Sequence, residues 1–410
     1  MSITMSQEIA IYTLTSRLHD EQSVAAVTAE FLNSLGLVHA LQGADFSTYG
    51  THPLDLIYVR TGGTEGIFKK LLPQLQQQSN RPFFLLTSGK SNSLAASMEI
   101  LSFLNQKGER GEIIHGNTAF VRQRIASLLK VEKALRQLHG SRLGIIGKPS
   151  DWLIASKADS DAIRQRLGVE LVDIPMQALM EAINEAPLEP ASVKSASPVV
   201  NQALPGAFQI LKGLEKVIKD YNIQGFTLRC FDLLEAIHNT GCLALASLNA
   251  DVVASCEGDV PAMLSMCIAR QLIGVSGFQA NPSRIDVSTG EMVLAHCTIP
   301  FNMVEGYELD THFESGIGVG IRGRMQPGPV TIFKVSGDLS RVFIAEGTLV
   351  ENLSHQDLCR TQQLIRLNDA SQCRYFLTNP IGNHHIVLPG HHQALLEDFF
   401  IQMDKNSPET

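Results

Sequence analysis

The hexapeptide Cys256-Glu257-Gly258-Asp259-Val260-Pro261 joins a carboxylate, a glycine and a helix-start signal in one short span. Asp259 is a residue type that caps helices and Pro261 suits a first helical turn. Val260, Met263, Leu264, Cys267 and Ile268 then fall on one helical face. The apolar run Val252 to Cys256 before them reads as a strand. Glu257 therefore stands where a strand turns into a helix, the edge at which open α/β sheets bind ligands. A carboxylate there stands where a bound ligand would lie. A solvated loop glutamate, favoured by the helix dipole, gives the same pattern.

Histidine is the second source of chemistry. Seven of the thirteen fall after residue 290: His296, His312, His355, His384, His385, His391 and His392. Neutral imidazole together with carboxylate oxygen suits Mn²⁺, Fe²⁺ or Zn²⁺. In Asn383-His384-His385-Ile386-Val387, neighbouring side chains point opposite ways if the segment is extended, so one of the pair at most can serve one metal. The polar turns Thr61 to Glu65 and Ser88 to Ser93 follow strand-like runs and offer donors to hydroxyl groups. Arg60 suits an anionic group. Trp152, the single tryptophan, suits stacking on a ring or plain packing. Gly316-Ile317-Gly318-Val319-Gly320 is glycine-rich, but Arg322, Gly323, Pro327, Gly328 and Pro329 follow, so no helix opens there as a dinucleotide site requires.

The elements that would position these groups change character along the chain. Ile9 to Leu14, Leu54 to Val59 and Pro82 to Thr87 read as strands, each followed by a polar break and a helical spacing. A second series begins near Arg142, with strands at Leu143 to Ile146, Glu170 to Ile174 and Phe226 to Cys230. Glu185 to Pro205 holds four prolines and reads as a long loop or lid ahead of a helix from about Gly206 to Tyr221. Beyond about 285, strand-like runs separated by Gly, Pro and Asp dominate until a helix at Gln393 to Met403. The fold expected is α/β: two doubly wound parallel-sheet domains, residues 1–140 and 141–285, and a β-rich, barrel-like domain with a terminal helix, 286–410.

Composition narrows the partners. The chain has 410 residues, 44% of them hydrophobic and 18% charged, which excludes a mainly disordered protein. The net charge of −8, without a basic run, argues against nucleic acid. No apolar stretch approaches the roughly 18 residues of a membrane span, and Met1 to Ala10 lacks the pattern of a signal peptide. The seven cysteines include no CxxC pair, and free thiols in a reducing cytoplasm are expected.

Four motifs taken in order carry a resemblance: Cys256 to Ala262, Ala280-Asn281-Pro282-Ser283-Arg284, Leu294-Ala295-His296-Cys297 and Gly382-Asn383-His384-His385. Together they resemble the L-fucose isomerase and L-arabinose isomerase superfamily, most closely its shorter fucose-isomerase-like members. That resemblance implies two α/β domains and a β-rich domain. It implies a divalent metal, usually Mn²⁺, and aldose–ketose isomerisation of an L-fucose-like monosaccharide through an enediolate. It also implies a trimer or hexamer in which a neighbouring subunit's first domain closes the site. By position, Glu257 matches a metal-binding glutamate that also transfers protons, and His385 matches the metal-binding histidine. Asn281 stands where a second metal carboxylate belongs. An amide offers one neutral oxygen and takes no proton at neutral pH. Asp286 or Glu314 could substitute for that carboxylate, or the chemistry could differ. A sugar-binding or regulatory protein on this scaffold, and an isomerase or epimerase of a charged sugar, are the alternatives. Arg60, Thr61, Ser91, Asn92 and Trp152 are the expected substrate contacts.

Overall fold

The computed structural model describes residues 8–191 and 193–403. It separates into two compact units, residues 1–136 with 397–410, and residues 137–396. The division falls inside two helices, near the end of the fourth and within the last.

The first unit is built from β1 (Ile9–Leu14), α1 (Glu21–Leu35), β2 (Ala40–Gly43), β3 (Leu54–Val59), α2 (Glu65–Gln78), β4 (Phe83–Leu86), α3 (Ser93–Gln106), β5 (Gly111–Ile114) and α4 (Thr118–Leu138). Its sheet is parallel throughout, in the order β2-β1-β3-β4-β5. All six residues of β1 and of β3 are buried. Strand alternation sends Ala10, Tyr12 and Leu14 into one core with α2 and α3, and Ile9 and Ile11 into another with α1 and α4. That is why these strands are mostly apolar on both faces, with Thr13 and Asp55 as their polar positions, both buried. Asp20 caps α1 through a bond from the Ser23 amide, and Gly36 ends it in the left-handed region.

The second unit opens with another parallel sheet. Its elements are β6 (Arg142–Ile146), α5 (Ser160–Leu167), β7 (Glu170–Ile174), α6 (Met176–Glu185), α7 (Pro198–Tyr221), β8 (Gly225–Leu228), α8 (Phe231–Ile237), α9 (Cys242–Leu248), β9 (Val253–Cys256) and α10 (Val260–Ile273), with strand order β7-β6-β8-β9. The proline-rich stretch is shorter as a loop than its composition predicts. Ser197 caps α7, its hydroxyl accepting the Val200 amide; Pro198 takes the first turn and Pro205 lies within the helix. Four prolines suggested a loop to 205, but two of them occupy helical positions, one at the start where the missing N–H costs nothing.

The same unit continues into β10 (Phe278–Asp286), β11 (Glu291–His296), β12 (Gly306–Asp310), β13 (Gly320–Arg324), β14 (Gly328–Val335), β15 (Val342–Asn352), β16 (Thr361–Leu367), α11 (Cys373–Thr378), β17 (His385–Pro389) and α12 (Gln393–Met403), whose last turns belong to the first unit. Six of these strands form a closed barrel, β10-β11-β16-β15-β14-β17. Its neighbours are antiparallel, and β17 closes it between β10 and β14. The expected fold class, α/β with a β-rich barrel, is what the chain adopts. One apolar cluster joins barrel residues Phe278, Leu294, Ile332 and Val387 to Val200 and Leu204 of α7 and Leu243 of α9, so the second sheet's helices and the barrel share a core.

Candidate metal centre

Glu257 is set by its backbone. It follows β9 with φ +65° and Gly258 follows with φ +70°, two successive left-handed residues. For glutamate that conformation costs of order 1 kcal/mol and persists only where the surroundings impose it. A Cβ on Gly258 would lie 2.6 Å from the Lys148 carbonyl oxygen and 2.7 Å from Pro149 Cα, so only glycine fits. The turn is held on both sides. The Ser150 amide donates to the Glu257 carbonyl at 3.0 Å, and the Gly258 amide donates to the Leu228 carbonyl at 3.1 Å. Gln279 of β10 acts as a substitute strand for the end of β9. Its Oε1 accepts from the Cys256 amide at 2.8 Å and its Nε2 donates to the Cys256 carbonyl at 3.2 Å.

Two histidines converge on this carboxylate. His296 ends β11 and His384 precedes β17; each presents Nε2 3.5 Å from Glu257 Oε1. Among the described residues, Glu257, His296 and His384 are three ligand-bearing side chains whose donor atoms all lie within 4.8 Å of one another. Both nitrogens of His296 and Nε2 of His384 are buried and have no hydrogen-bond partner among the described residues. Buried polar atoms are rarely left so. Metal–ligand bonds of about 2.0–2.2 Å place neighbouring donors about 3–3.5 Å apart, so this spacing suits one small divalent cation. These residues form a candidate metal-binding group.

The groups behind the ligands are ordered as well. His384 Nδ1 meets Asp259 Oδ2 at 2.8 Å, and Asp259 Oδ1 accepts the Ala262 amide as the cap of α10. Lys334 of β14 puts Nζ 3.5 Å from Asp259 Oδ2, both side chains fully buried. Trp152 donates its indole N–H to Glu257 Oε2 at 2.7 Å, leaving Oε1 to the histidines. Burial alone would raise the Glu257 carboxyl, but the imidazoles of His296 and His384 facing it at 3.5 Å outweigh it and hold it well below the carboxylate range. Burial likewise opposes charge on His384, yet Asp259 and Glu257 lift it to about 9. Asp259 is pushed up by burial and brought down to about 2 by Lys334 and His384. Without a cation, the pocket therefore holds His384 as an imidazolium between two carboxylates.

A cavity of about 490 Å³ opens on this cluster, lined by Trp152, Phe231, Glu257, Asn281, Glu314 and Asn383. Asn281 Oδ1 accepts from Asn383 Nδ2 at 2.7 Å. Trp152 packs edge-on against Phe231, centroids 4.8 Å apart, and Phe231 against His312, centroids 5.6 Å apart.

No family model matches this chain. Its sequence is similar to sulfoquinovose isomerases. It is 23% identical over 279 residues to that of Priestia megaterium, covering 63% of each chain. With that of Clostridium sp. it shares 26% over 225 residues, covering 51% of this chain and 48% of the relative. With that of Alkalicoccus urumqiensis it shares 22% over 261 residues, covering 60% and 59%. The chain thus matches less than two thirds of the length of these relatives.

Of the residues expected at the site, the structure brings Glu257, Asn281 and Trp152 to one cavity. His385 is not with them. It shares a strand face with Val387 of the barrel core and lies among Phe343, Tyr375 and Phe376. Its Nδ1 faces the Asn383 carbonyl at 2.8 Å and its Nε2 the Tyr375 hydroxyl at 3.1 Å. Burial, then the Lys334 charge, lower it to about 3, so it stays neutral. The histidine facing Glu257 is His384, and His296 joins it from a motif that the sequence marked without giving it a role. Of the two possible substitutes for a carboxylate, Glu314 reaches the cavity rim, whereas Asp286 is exposed and bonded to Ser288.

Arg60, Thr61, Ser91 and Asn92 all belong to the first unit. Arg60 is already engaged, through two bonds to Glu21 at 2.6 and 2.7 Å and one to Thr15 at 2.7 Å. Thr61 is buried, its hydroxyl accepting the Ser16 amide. Ser91 and Asn92 are exposed and left-handed.

Proposed function

We propose that this protein is a divalent-metal-dependent aldose–ketose isomerase of a monosaccharide. The observation that carries the reading is the convergence of Glu257, His296 and His384, with three buried ring nitrogens lacking partners, on a cavity large enough for a hexose. The sulfoquinovose isomerase relatives and the resemblance to fucose and arabinose isomerases support it. Glu257 Oε1, His296 and His384 would hold the cation, with Asn281 as a neutral neighbour; Mn²⁺ is the metal we propose. When bound, such a cation polarises the substrate carbonyl and stabilises the charge of the enediolate.

The chain's own groups supply the rest. Glu257 would take the proton from one carbon and return it to the adjacent one, its orientation fixed by the Trp152 bond and the strained turn. His384 is kept with Nδ1 toward Asp259, which aims Nε2 at the centre. Trp152, Asn281, Asn383 and Glu314 would face the sugar.

Between an L-fucose-like sugar and an anionic one, Asn281 favours the anionic. With an amide in place of a second carboxylate, the loaded centre is less negative and better suited to a sulfonated or otherwise charged aldose. By the resemblance the enzyme would be a homo-oligomer, a trimer or hexamer, and by its unpaired cysteines a cytoplasmic one. Arg60, Thr61, Ser91 and Asn92 of one copy would then help close the site of another. Purified protein incubated with Mn²⁺ and a panel of neutral and anionic aldoses, with products separated by chromatography, tests this. A ketose formed only with metal is expected. Metal bound without turnover of any aldose would favour a sugar-binding protein on the isomerase scaffold.

A further inference from the structure

Lys334 is the least expected residue of the barrel. It shares a strand face with Val330 and Ile332 of the core, and is 0% exposed. Among the described residues its ammonium has no hydrogen-bond partner, and Asp259 Oδ2 lies 3.5 Å away. A buried charge without good hydrogen bonds is costly and is better replaced by an apolar side chain unless its charge has a use. The count of buried charge around the cavity indicates that use. Glu257 and Asp259 are the buried carboxylates, and His296 and His384 are neutral as ligands. A divalent cation would cancel the two carboxylates, and Lys334 would remain in excess. Asn281 preserves that excess, since a carboxylate at its position would remove it. Glu314 at the rim is exposed, so water screens its charge.

We infer that Lys334, acting through Asp259 and His384, and Asn281, from the opposite side, keep the metal-loaded centre one positive charge in excess and so make it selective for anionic over neutral ligands. The inference rests on the metal centre proposed above. Lys334 is a specificity-determining residue that never touches the ligand. Substituting it should weaken anion binding without weakening the metal, because removing a nearby positive charge favours a cation.

The test uses the whole chain and four probes: Mn²⁺ alone and, on Mn²⁺-loaded protein, inorganic sulfate, methanesulfonate and the neutral polyol xylitol. Binding is read by calorimetry and by the fluorescence of Trp152. Lys334→Met and Asn281→Asp are each expected to bind Mn²⁺ at least as tightly as the parent. Each should bind sulfate and methanesulfonate about tenfold more weakly, the effect expected of one unit charge several ångströms away in a partly screened site. Xylitol binding should be unchanged in Lys334→Met, whereas for Asn281→Asp, which faces the cavity, the readout is the fall in anion affinity relative to xylitol. The double variant should combine the two losses. Parent-like anion affinity in metal-loaded Lys334→Met overturns the inference. So does loss of Mn²⁺ and xylitol along with the anions, which would make Lys334 a packing residue. Should Lys334→Met fail to fold, Asn281→Asp decides, because it alters the same charge from a half-buried strand position outside the barrel core. Parent-like anion affinity there overturns the inference equally. A parent protein that takes up no Mn²⁺ overturns the metal centre and this inference together.

Discussion

Two turns in this molecule share a backbone and differ in nearly everything else. Each leaves a parallel strand, passes through two successive left-handed residues and enters a helix. In the first unit these are Ser91 and Asn92, between β4 and α3; in the second they are Glu257 and Gly258, between β9 and α10. Ser91 and Asn92 are exposed, and Asn92 makes no side-chain cap bond. Glu257 is buried beside two histidines and a tryptophan, and the next helix is capped by a carboxylate that itself holds one of those histidines. A strained turn at a strand end is thus only an opportunity. Burial of the residue it carries, and partner atoms with nothing else to bind, turn it into a chemical centre.

The largest test of that contrast is Glu257→Gln. It keeps the shape and removes the proposed base and negative ligand. Turnover should fall by about 10²–10⁴ and metal content should drop, as measured by product assay and elemental analysis. Asn92→Ala should leave metal content at the parent level. If both variants kept their metal, the distinction between the turns would fail.

Next come the adjacent histidines. His384→Ala and His296→Ala should each weaken Mn²⁺ at least 10–100-fold, the range seen when a single group supporting a metal is lost. His385→Ala should keep the metal and lower the melting temperature, because it opens a hole among Phe343, Tyr375 and Phe376. The reverse result would restore His385 as the ligand.

Gly258→Ala probes the backbone rather than the charge. The new Cβ would meet Lys148 and Pro149 at under 3 Å with φ at +70°, so a loss of several kcal/mol is expected in denaturant unfolding.

The pH dependence of the metal-free protein separates the two turns again. His384 is raised from 6.5 to about 9, so the stability it confers is fully present below pH 6.5 and is lost as pH rises through 9. Metal binding should strengthen over the same interval, because His384 must give up a proton to bind. Thermal melts from pH 6 to pH 9.5, with and without Mn²⁺, should converge in His384→Ala. The smallest effect is at the exposed turn. Ser91→Gly should stabilise by up to about 1 kcal/mol, because it relieves left-handed strain while keeping the backbone bond from the Gly62 amide to the residue 91 carbonyl at 2.7 Å.

Much of this architecture was legible because it rests on local rules. Fully buried parallel strands such as Ile9–Leu14 and Leu54–Val59 are mostly apolar on both faces, and Asp259 with Pro261 spells out the start of α10. Glu257 was legible for the same reason, as the residue between two readable elements. His384 and His385 were not. Alternation says that they diverge, but only the pairing of His385 with Ala280 on β10 says which one enters the barrel. His296 and Lys334 lay beyond reach because their roles come from residues distant in sequence. Lys334 in particular interrupts an apolar strand, a local inconsistency whose reason appears only when α10 is packed against β14.

The barrel's last strand gives the centre a place in the order of folding. His384 is fixed by β17, which pairs with β10 and β14 at its two edges, both formed from segments much earlier in the chain. Glu257, by contrast, stands at the end of a parallel sheet formed wholly upstream. Contacts that span long stretches of chain form slowly, since loop entropy must be overcome first. The proposed ligand set is therefore completed only when the barrel closes. Until then a cation arriving early would meet Glu257 and His296 without the third member, His384.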